Sequence, residues 1–231
     1  MYKIFFFVAL YKIFFLLRFN WSGRFCPISI KSMESLQTGD IVLFDEHPSS
    51  CCFKTFTSCI KSCTTSRFSH CAIVLRDYPV PGLFVWESSW HPDSHLSDPS
   101  DHRLHKFGVQ ITPLSFYLSD YPGSVAVYVR RRKSPLTNAK KTLDAIYQHT
   151  LDRPYDICPC DWVAAKLRCR PRRTTTRFWC SAFAAYFLVQ TKSISADCDW
   201  SMVRAQDLSS SCVHPPFSWL ETYTDDEPLH T

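Results

Sequence analysis

Two apolar runs, each headed by a reactive side chain, constrain this chain more than any other feature. Residues 69–75 place His70 at the head of a short apolar run typical of a buried strand. Residues 178–186 place Cys180 at the head of a longer apolar run typical of a helix. The positive end of a helix dipole favours the thiolate of an N-terminal cysteine, and a histidine within reach would activate it. The two runs therefore predict a mixed fold with a nucleophilic cysteine.

Length and composition define the class of protein. The 231 residues suffice for one sizeable domain with appendages, and 45% of them are hydrophobic, enough for a large core. Five glycines and fifteen prolines argue against a glycine-rich phosphate loop, and neither common nucleotide-binding motif occurs. The net charge of +5 predicts no partner by itself. Basic residues concentrate in 130–133 and 166–177, where a solvated surface is the simpler interpretation and a phosphate contact the alternative.

Twelve cysteines are many for this length, and three interpretations compete. Disulfides are not needed by a chain with so many ordinary core residues. A structural zinc site is disfavoured because Cys158 and Cys160 are separated by one residue, and no matched second pair follows. We therefore expect no metal and no other cofactor, and mostly buried, reduced thiols in an intracellular protein.

The N-terminal segment 1–21 is apolar but carries Lys3, Lys12 and Arg18. A spanning helix requires about 20 apolar residues, and a lysine at mid-segment is costly in a bilayer. A signal peptide would require a cleaner apolar region and a small-residue cleavage site. An interfacial anchor, a poor signal-anchor and a non-native extension remain as alternatives, and we favour membrane association through this segment.

The rest of the chain divides into a linker at 22–35, a folded domain at 36–205 and a C-terminal tail at 206–231. Hydrophobic periodicity predicts strands, helices and two long loops, with little pattern after Asp207. The predicted strands are 41–44, 71–76, 83–87, 109–112 and 124–129. The predicted helices are 51–66, a short one opened by Pro113, 137–150 and 180–190, and the predicted loops are 89–107 and 152–177.

Five segments in this order carry a resemblance to a known family. They are LQTGDIVLF (36–44), RFSHCAIV (67–74), GLFVWES (82–88), RPYD (153–156) and FWCS (178–181). Together they resemble the circularly permuted papain-like thiol hydrolases of the NlpC superfamily, in which the histidine precedes the cysteine. That superfamily includes bacterial amidase-like proteins, lecithin-retinol-acyltransferase-like enzymes and proteins of large DNA viruses. The resemblance covers about residues 36–190.

The resemblance implies an α+β, permuted papain-like (NlpC-like) fold. In it a small antiparallel sheet packs on helices, with the histidine on a strand and the cysteine at a helix N-terminus. It assigns Cys180 as nucleophile, His70 as general base and Glu87 as the group that orients the imidazole, and it places Tyr155 in the substrate pocket. An antiparallel hairpin could bring His70 and Glu87 side by side. The chain departs from the family where Ala182 and Phe183 replace an acidic residue that often follows the Cys-Ser pair.

The resemblance also implies a function. We expect a thiol hydrolase or acyltransferase that acts on amide or ester bonds through a thioester, with a peptide or lipid substrate and some bias to a membrane surface. A catalytically silent papain-like interaction module is the alternative, and specific nucleic-acid binding is not expected because aromatic residues are sparse in the basic stretches. Four histidines are interpreted as solvated loop residues rather than metal ligands; they are His91, His95, His102 and His105.

Overall fold

The computed structural model describes residues 33–91, 95–104, 106–169 and 173–229. The predicted N-terminal segment 1–21 and the linker up to residue 32 lie outside the described residues. In the described part, no helix has the length and apolar character needed to cross a membrane.

The centre of the fold is an antiparallel sheet of six strands in the order β4-β3-β2-β1-β5-β6. The strands are β1 (Ile41–Pro48), β2 (His70–Arg76), β3 (Leu83–Trp90), β4 (Phe107–Pro113), β5 (Gly123–Arg130) and β6 (Glu227–Pro228). The α-helices are α1 (Cys51–Thr64), α2 (Ala139–Thr150), α3 (Pro159–Lys166) and α4 (Cys180–Gln190). A π-helix (Phe116–Asp120) and two 3₁₀-helices (Trp200–Met202 and Ala205–Leu208) complete the described elements. The mixed α+β class with an antiparallel sheet is confirmed.

The two faces of the sheet carry separate apolar clusters, as the two-residue period of a strand requires. In β2, Ile73 and Leu75 belong to the cluster that contains α4, whereas Ala72 and Val74 belong to the cluster around Tyr117. Helix α4 is apolar on all sides and its first nine residues are buried. A helix of this kind is stable only when it is surrounded by other elements, which explains its central position.

Several predicted boundaries change in the structure. Strand β3 continues to Trp90, so Glu87 lies inside the strand rather than at its end. Pro113 is the last residue of β4, and the short helix expected there begins with the next residue and continues as the π-helix to Asp120. The predicted loop 152–177 contains α3, which begins with Pro159 in the first turn, where proline is tolerated. With only eight residues, α3 is too short to give a clear helical period in the sequence.

The segment after Asp207 folds onto the sheet although its sequence has little pattern. It contributes β6, which pairs with β5 at Tyr128↔Pro228 and Val129↔Glu227. Leu229 is buried in the cluster on one face of the sheet. Long-range pairing of a two-residue strand leaves no local periodicity, so sequence reasoning could not find it.

Candidate active site

The geometry of the sheet places His70 at an open corner. Strand β2 pairs with β1 from Phe44↔His70 to Ile41↔Ile73, but its ladder with β3 begins only at Ile73↔Trp86. The first residues of β2 are therefore held by β1 on one side, while the other side opens towards the N-terminus of α4. This corner is where the structure brings His70, Glu87 and Cys180 together.

The start of α4 is fixed by bonds to β3 and to the RPYD segment. The Ser88 hydroxyl of β3 donates to the carbonyl of Phe178 at 2.7 Å, two residues before Cys180. The same carbonyl accepts from the N–H of Asp156 at 2.9 Å, and the N–H of Phe178 donates to the carbonyl of Pro154 at 3.1 Å. These hydrogen bonds anchor Phe178 and so fix the position at which α4 begins relative to the sheet.

Ser88 is fully buried, and we expect Ser88→Ala to misplace Cys180 without removing any reacting group. The lost hydrogen bond should cost about 1 kcal/mol of stability, and alkylation of Cys180 at pH 6 should slow by about 10-fold. Thiol alkylation read by peptide mass spectrometry gives the rate. Thr150→Val is the matched control, because it removes a buried hydroxyl that bonds the carbonyl of Ile146 within α2. Equal alkylation rates in both variants would contradict a positioning role for Ser88.

His70 joins the carboxylate and the thiol. Its Nε2–H donates to Oε2 of Glu87 at 2.5 Å, which leaves Nδ1 for the hydrogen bond to the Cys180 side chain. Both His70 and Cys180 are buried, and Glu87 is 0% exposed. The carboxylate therefore fixes the orientation of the imidazole while the other ring nitrogen faces the sulfur.

Four donors surround the Glu87 carboxylate. Oε2 accepts from His70 and, at 2.6 Å, from the hydroxyl of Tyr117; Oε1 accepts from the hydroxyl of Thr112 at 2.6 Å and faces His91 Nε2 at 3.2 Å. A buried charge is tolerated only when it is paired and hydrogen-bonded in this way. Sequence reasoning missed Thr112 and Tyr117, because their contacts with Glu87 span 25 and 30 residues of the chain and leave no local pattern.

Electrostatics favour a thiolate–imidazolium pair. Burial alone would lower the pKa of His70, but hydrogen bonds to Cys180 and Glu87 hold that pKa well above its usual range. Burial would raise the pKa of Glu87, but the two histidines hold it well below its usual range. A hydrogen bond from the Cys71 side chain, together with the one from His70, outweighs burial and holds the pKa of Cys180 well below that of an ordinary thiol. These interactions favour the thiolate of Cys180 over its neutral thiol.

Cys71 contributes to the sulfur environment in two ways. Its side chain and its main-chain N–H both lower the pKa of Cys180 through hydrogen bonding. Burial and the neighbouring thiolate raise the pKa of Cys71 well above the usual value, so Cys71 stays protonated and acts as a donor. No signal in the sequence distinguished Cys71 from the other cysteines, since its role depends on the open side of β2.

A small pocket with a cavity volume of about 20 Å³ opens beside Cys180. Its wall is mostly apolar and aromatic and comes from α1, α3, the start of α4 and the segment around Arg204; it includes Ile60, Phe68, Trp162, Trp179 and Val203. Tyr155, predicted to line the substrate pocket, lies in this wall. Burial and the Cys180 charge raise the pKa of Tyr155 well above its usual value, so its hydroxyl stays protonated beside the Cys180 sulfur.

The histidines of the predicted loop 89–107 divide into two kinds. His95 and His102 are exposed, as expected for solvated residues, and His105 lies outside the described residues. His91 differs from the expectation: its side chain is 13% exposed and lies against Glu87 and the Tyr117 hydroxyl, at 3.2 and 3.0 Å. The extension of β3 to Trp90 explains this, because it brings the next residue onto the buried carboxylate. Within the described residues, no cluster of His, Cys, Asp and Glu could hold a metal ion.

No protein-family model and no curated protein matches this chain. The arrangement of Cys180, His70 and Glu87 is therefore the main indication of function.

Proposed function

We propose that the protein is a cysteine-dependent hydrolase or acyltransferase that cleaves amide or ester bonds through a thioester on Cys180. The observation that carries the proposal is the buried chain Glu87–His70–Cys180, in which hydrogen bonds stabilise the charged form of each member. A purely structural cysteine has no need of a depressed pKa, and strongly shifted pKa values next to a pocket are typical of catalytic groups.

The reaction follows from the positions of these groups. The Cys180 thiolate attacks the acyl carbon, and the carbonyl electrons move to oxygen to give a tetrahedral anion. In this proposal the main-chain N–H of Cys180, the first residue of α4, donates to that oxyanion. As the tetrahedral anion collapses, His70 gives its Nδ1 proton to the departing amine or alcohol, and a thioester remains.

Deacylation reverses the roles. Neutral His70 takes a proton from water or from an acceptor alcohol or amine, which attacks the thioester and releases Cys180 as thiolate. Glu87 keeps the imidazole in one orientation through both steps and stabilises its positive charge. Transfer to an acceptor requires that the acceptor reach the thioester before water does.

The proposal includes a permuted papain-like architecture. Three features support it: a histidine on an antiparallel strand, an acidic residue on the neighbouring strand, and a later helix that begins with the cysteine. The order of these elements along the chain is the one that the resemblance implies.

An acyl-enzyme trap tests the proposed function. The protein is mixed with 4-nitrophenyl hexanoate at pH 7, quenched in acid within seconds and digested. We expect a hexanoyl adduct on the peptide that contains Cys180, with a burst of nitrophenolate equal to the enzyme concentration.

Two variants control the acyl-enzyme trap. Cys180→Ser should show no burst, while Cys198→Ser should keep it, because Cys198 is buried and its pKa is raised to about 12. An adduct spread over several cysteines, or a burst that survives in Cys180→Ser, would reject the proposed site and favour the silent interaction module.

A further inference from the structure

One wall of the pocket beside Cys180 carries a charge. Among the described residues that line it, Arg204 contributes the one guanidinium to an otherwise apolar and hydroxyl-bearing surface. Its side chain is 17% exposed. A cation in an apolar wall is costly to leave without an anionic partner, so the partners of Arg204 decide what it can bind.

Arg204 forms an ion pair with Asp207, and Arg168 pairs with the same carboxylate. Asp207 is 0% exposed and receives Nη2 of Arg204 at 2.7 Å and Nη2 of Arg168 at 2.9 Å. Two guanidiniums therefore face one carboxylate, which leaves one uncompensated positive charge in this cluster. Arg204 lines the pocket and Arg168 does not. An anion that enters the pocket would therefore interact with Arg204.

Arg204 also keeps hydrogen-bonding capacity. Nε and Nη2 donate to Asp207, and Nη1 donates to the carbonyl of Thr64 at 3.0 Å. A guanidinium has five N–H groups, so these three bonds leave two for a ligand. The bonds to Asp207 and Thr64 hold the group rigid, which reduces the entropy lost when an anion binds.

We propose that this pocket selects acyl substrates with a carboxylate or phosphate-type anion at the far end of the acyl group, bound by Arg204. This inference rests on the proposed function and specifies its substrate class. The aromatic wall formed by Phe68, Trp162 and Trp179 would hold the methylene chain between the reacting carbonyl and the anion.

Matched esters test the selection directly. The neutral probe is 4-nitrophenyl hexanoate, and the anionic probes of similar length are mono-4-nitrophenyl adipate and 4-nitrophenyl 5-phosphonopentanoate. The wild-type protein should show a kcat/KM about 10-fold higher for at least one anionic probe than for the neutral one, the size of one charge-assisted hydrogen bond. The better of the two anionic probes identifies the anion.

Arg204→Gln should abolish this preference, and Arg67→Gln is its matched control. The Arg67 side chain is 56% exposed and lies over the ring of Tyr128 at 4.6 Å, outside the pocket, so its loss changes the net charge equally. A purely structural role of Arg204 would lower the rates for neutral and anionic esters by the same factor and leave their ratio unchanged. A ratio near one in wild type, or an equal ratio in Arg204→Gln, would overturn the proposal.

A second readout separates this proposal from the proposed function. Iodoacetate and iodoacetamide alkylate Cys180 whether or not any ester is turned over, and the ratio of their rates reports the charge near the sulfur. We expect the ratio to fall several-fold in Arg204→Gln and to stay constant in Arg67→Gln. If no ester is hydrolysed but this ratio falls, the proposed function fails while the anion site stands. If esters are hydrolysed but neither ratio changes, the anion site fails alone.

Discussion

Cys180 should react with limiting iodoacetamide at pH 6 about 10- to 100-fold faster than any other cysteine of the protein. An ordinary thiol with a pKa near 8.5 is about 0.3% ionised at that pH, whereas the depressed pKa of Cys180 gives its thiol a much larger ionised fraction. The gain is smaller than the ratio of thiolate fractions, because a thiolate of low pKa is a weaker nucleophile. Peptide mass spectrometry across pH 5 to 9 measures the rate at each cysteine.

The His70→Ala variant makes this prediction specific. Removal of the imidazolium takes away one of the donors that lower the Cys180 pKa, so the rate at pH 6 should fall and its pH midpoint should move upward. In wild type the ion pair persists as pH rises until His70 loses its proton, at a pH well above its usual pKa, and the thiolate itself remains above that pH. His91→Phe is the matched control, since His91 lies on the other oxygen of Glu87. A slow Cys180 in wild type, or an unchanged profile in His70→Ala, would reject the ion pair.

Glu87→Ala should lower the free energy of unfolding by about 3–5 kcal/mol. The substitution leaves a protonated His70 and the hydroxyls of Tyr117 and Thr112 without their buried acceptor, which is the costly way to break a buried ion pair. Tyr117→Phe removes one donor and keeps the carboxylate, so its cost should be nearer 1 kcal/mol. Urea unfolding followed by fluorescence gives both values.

The same residue predicts a pH dependence. The folded pKa of Glu87 lies well below its unfolded value of about 4.3, so the carboxylate adds stability above that pH and loses it as the pH falls towards the folded pKa. The difference in unfolding free energy between wild type and Glu87→Gln should therefore be constant from pH 5 to 6 and should narrow below pH 4. A difference that widens in acid would show that Glu87 is protonated in the native protein.

Sequence reasoning was most accurate for the strands and helices that are determined by local hydrophobic pattern. The strand that starts near His70 and the helix from Cys180 to Gln190 follow from apolar runs, and both were expected within a residue of their bounds. The pocket cation Arg204 could not be found in this way. It faces α1 through the carbonyl of Thr64, and a contact across that chain separation leaves no trace in hydrophobic periodicity.

The site also contains a residue, His91, that the local sequence predicts to be exposed to solvent. His91 was interpreted as a loop histidine because its neighbours are polar, but the strand before it carries it onto Glu87. Buried hydrogen bonds to one carboxylate outweighed the local preference of a polar segment for solvent.

The main-chain donor at position 71 has a consequence for variation at this corner. The N–H that reaches the Cys180 sulfur belongs to the peptide group, so almost every substitution of Cys71 changes the side chain and keeps this donor. Proline alone among the twenty residues would remove it. Part of the acidity of the Cys180 thiol therefore depends on the path of the backbone and persists when the side chain at position 71 changes.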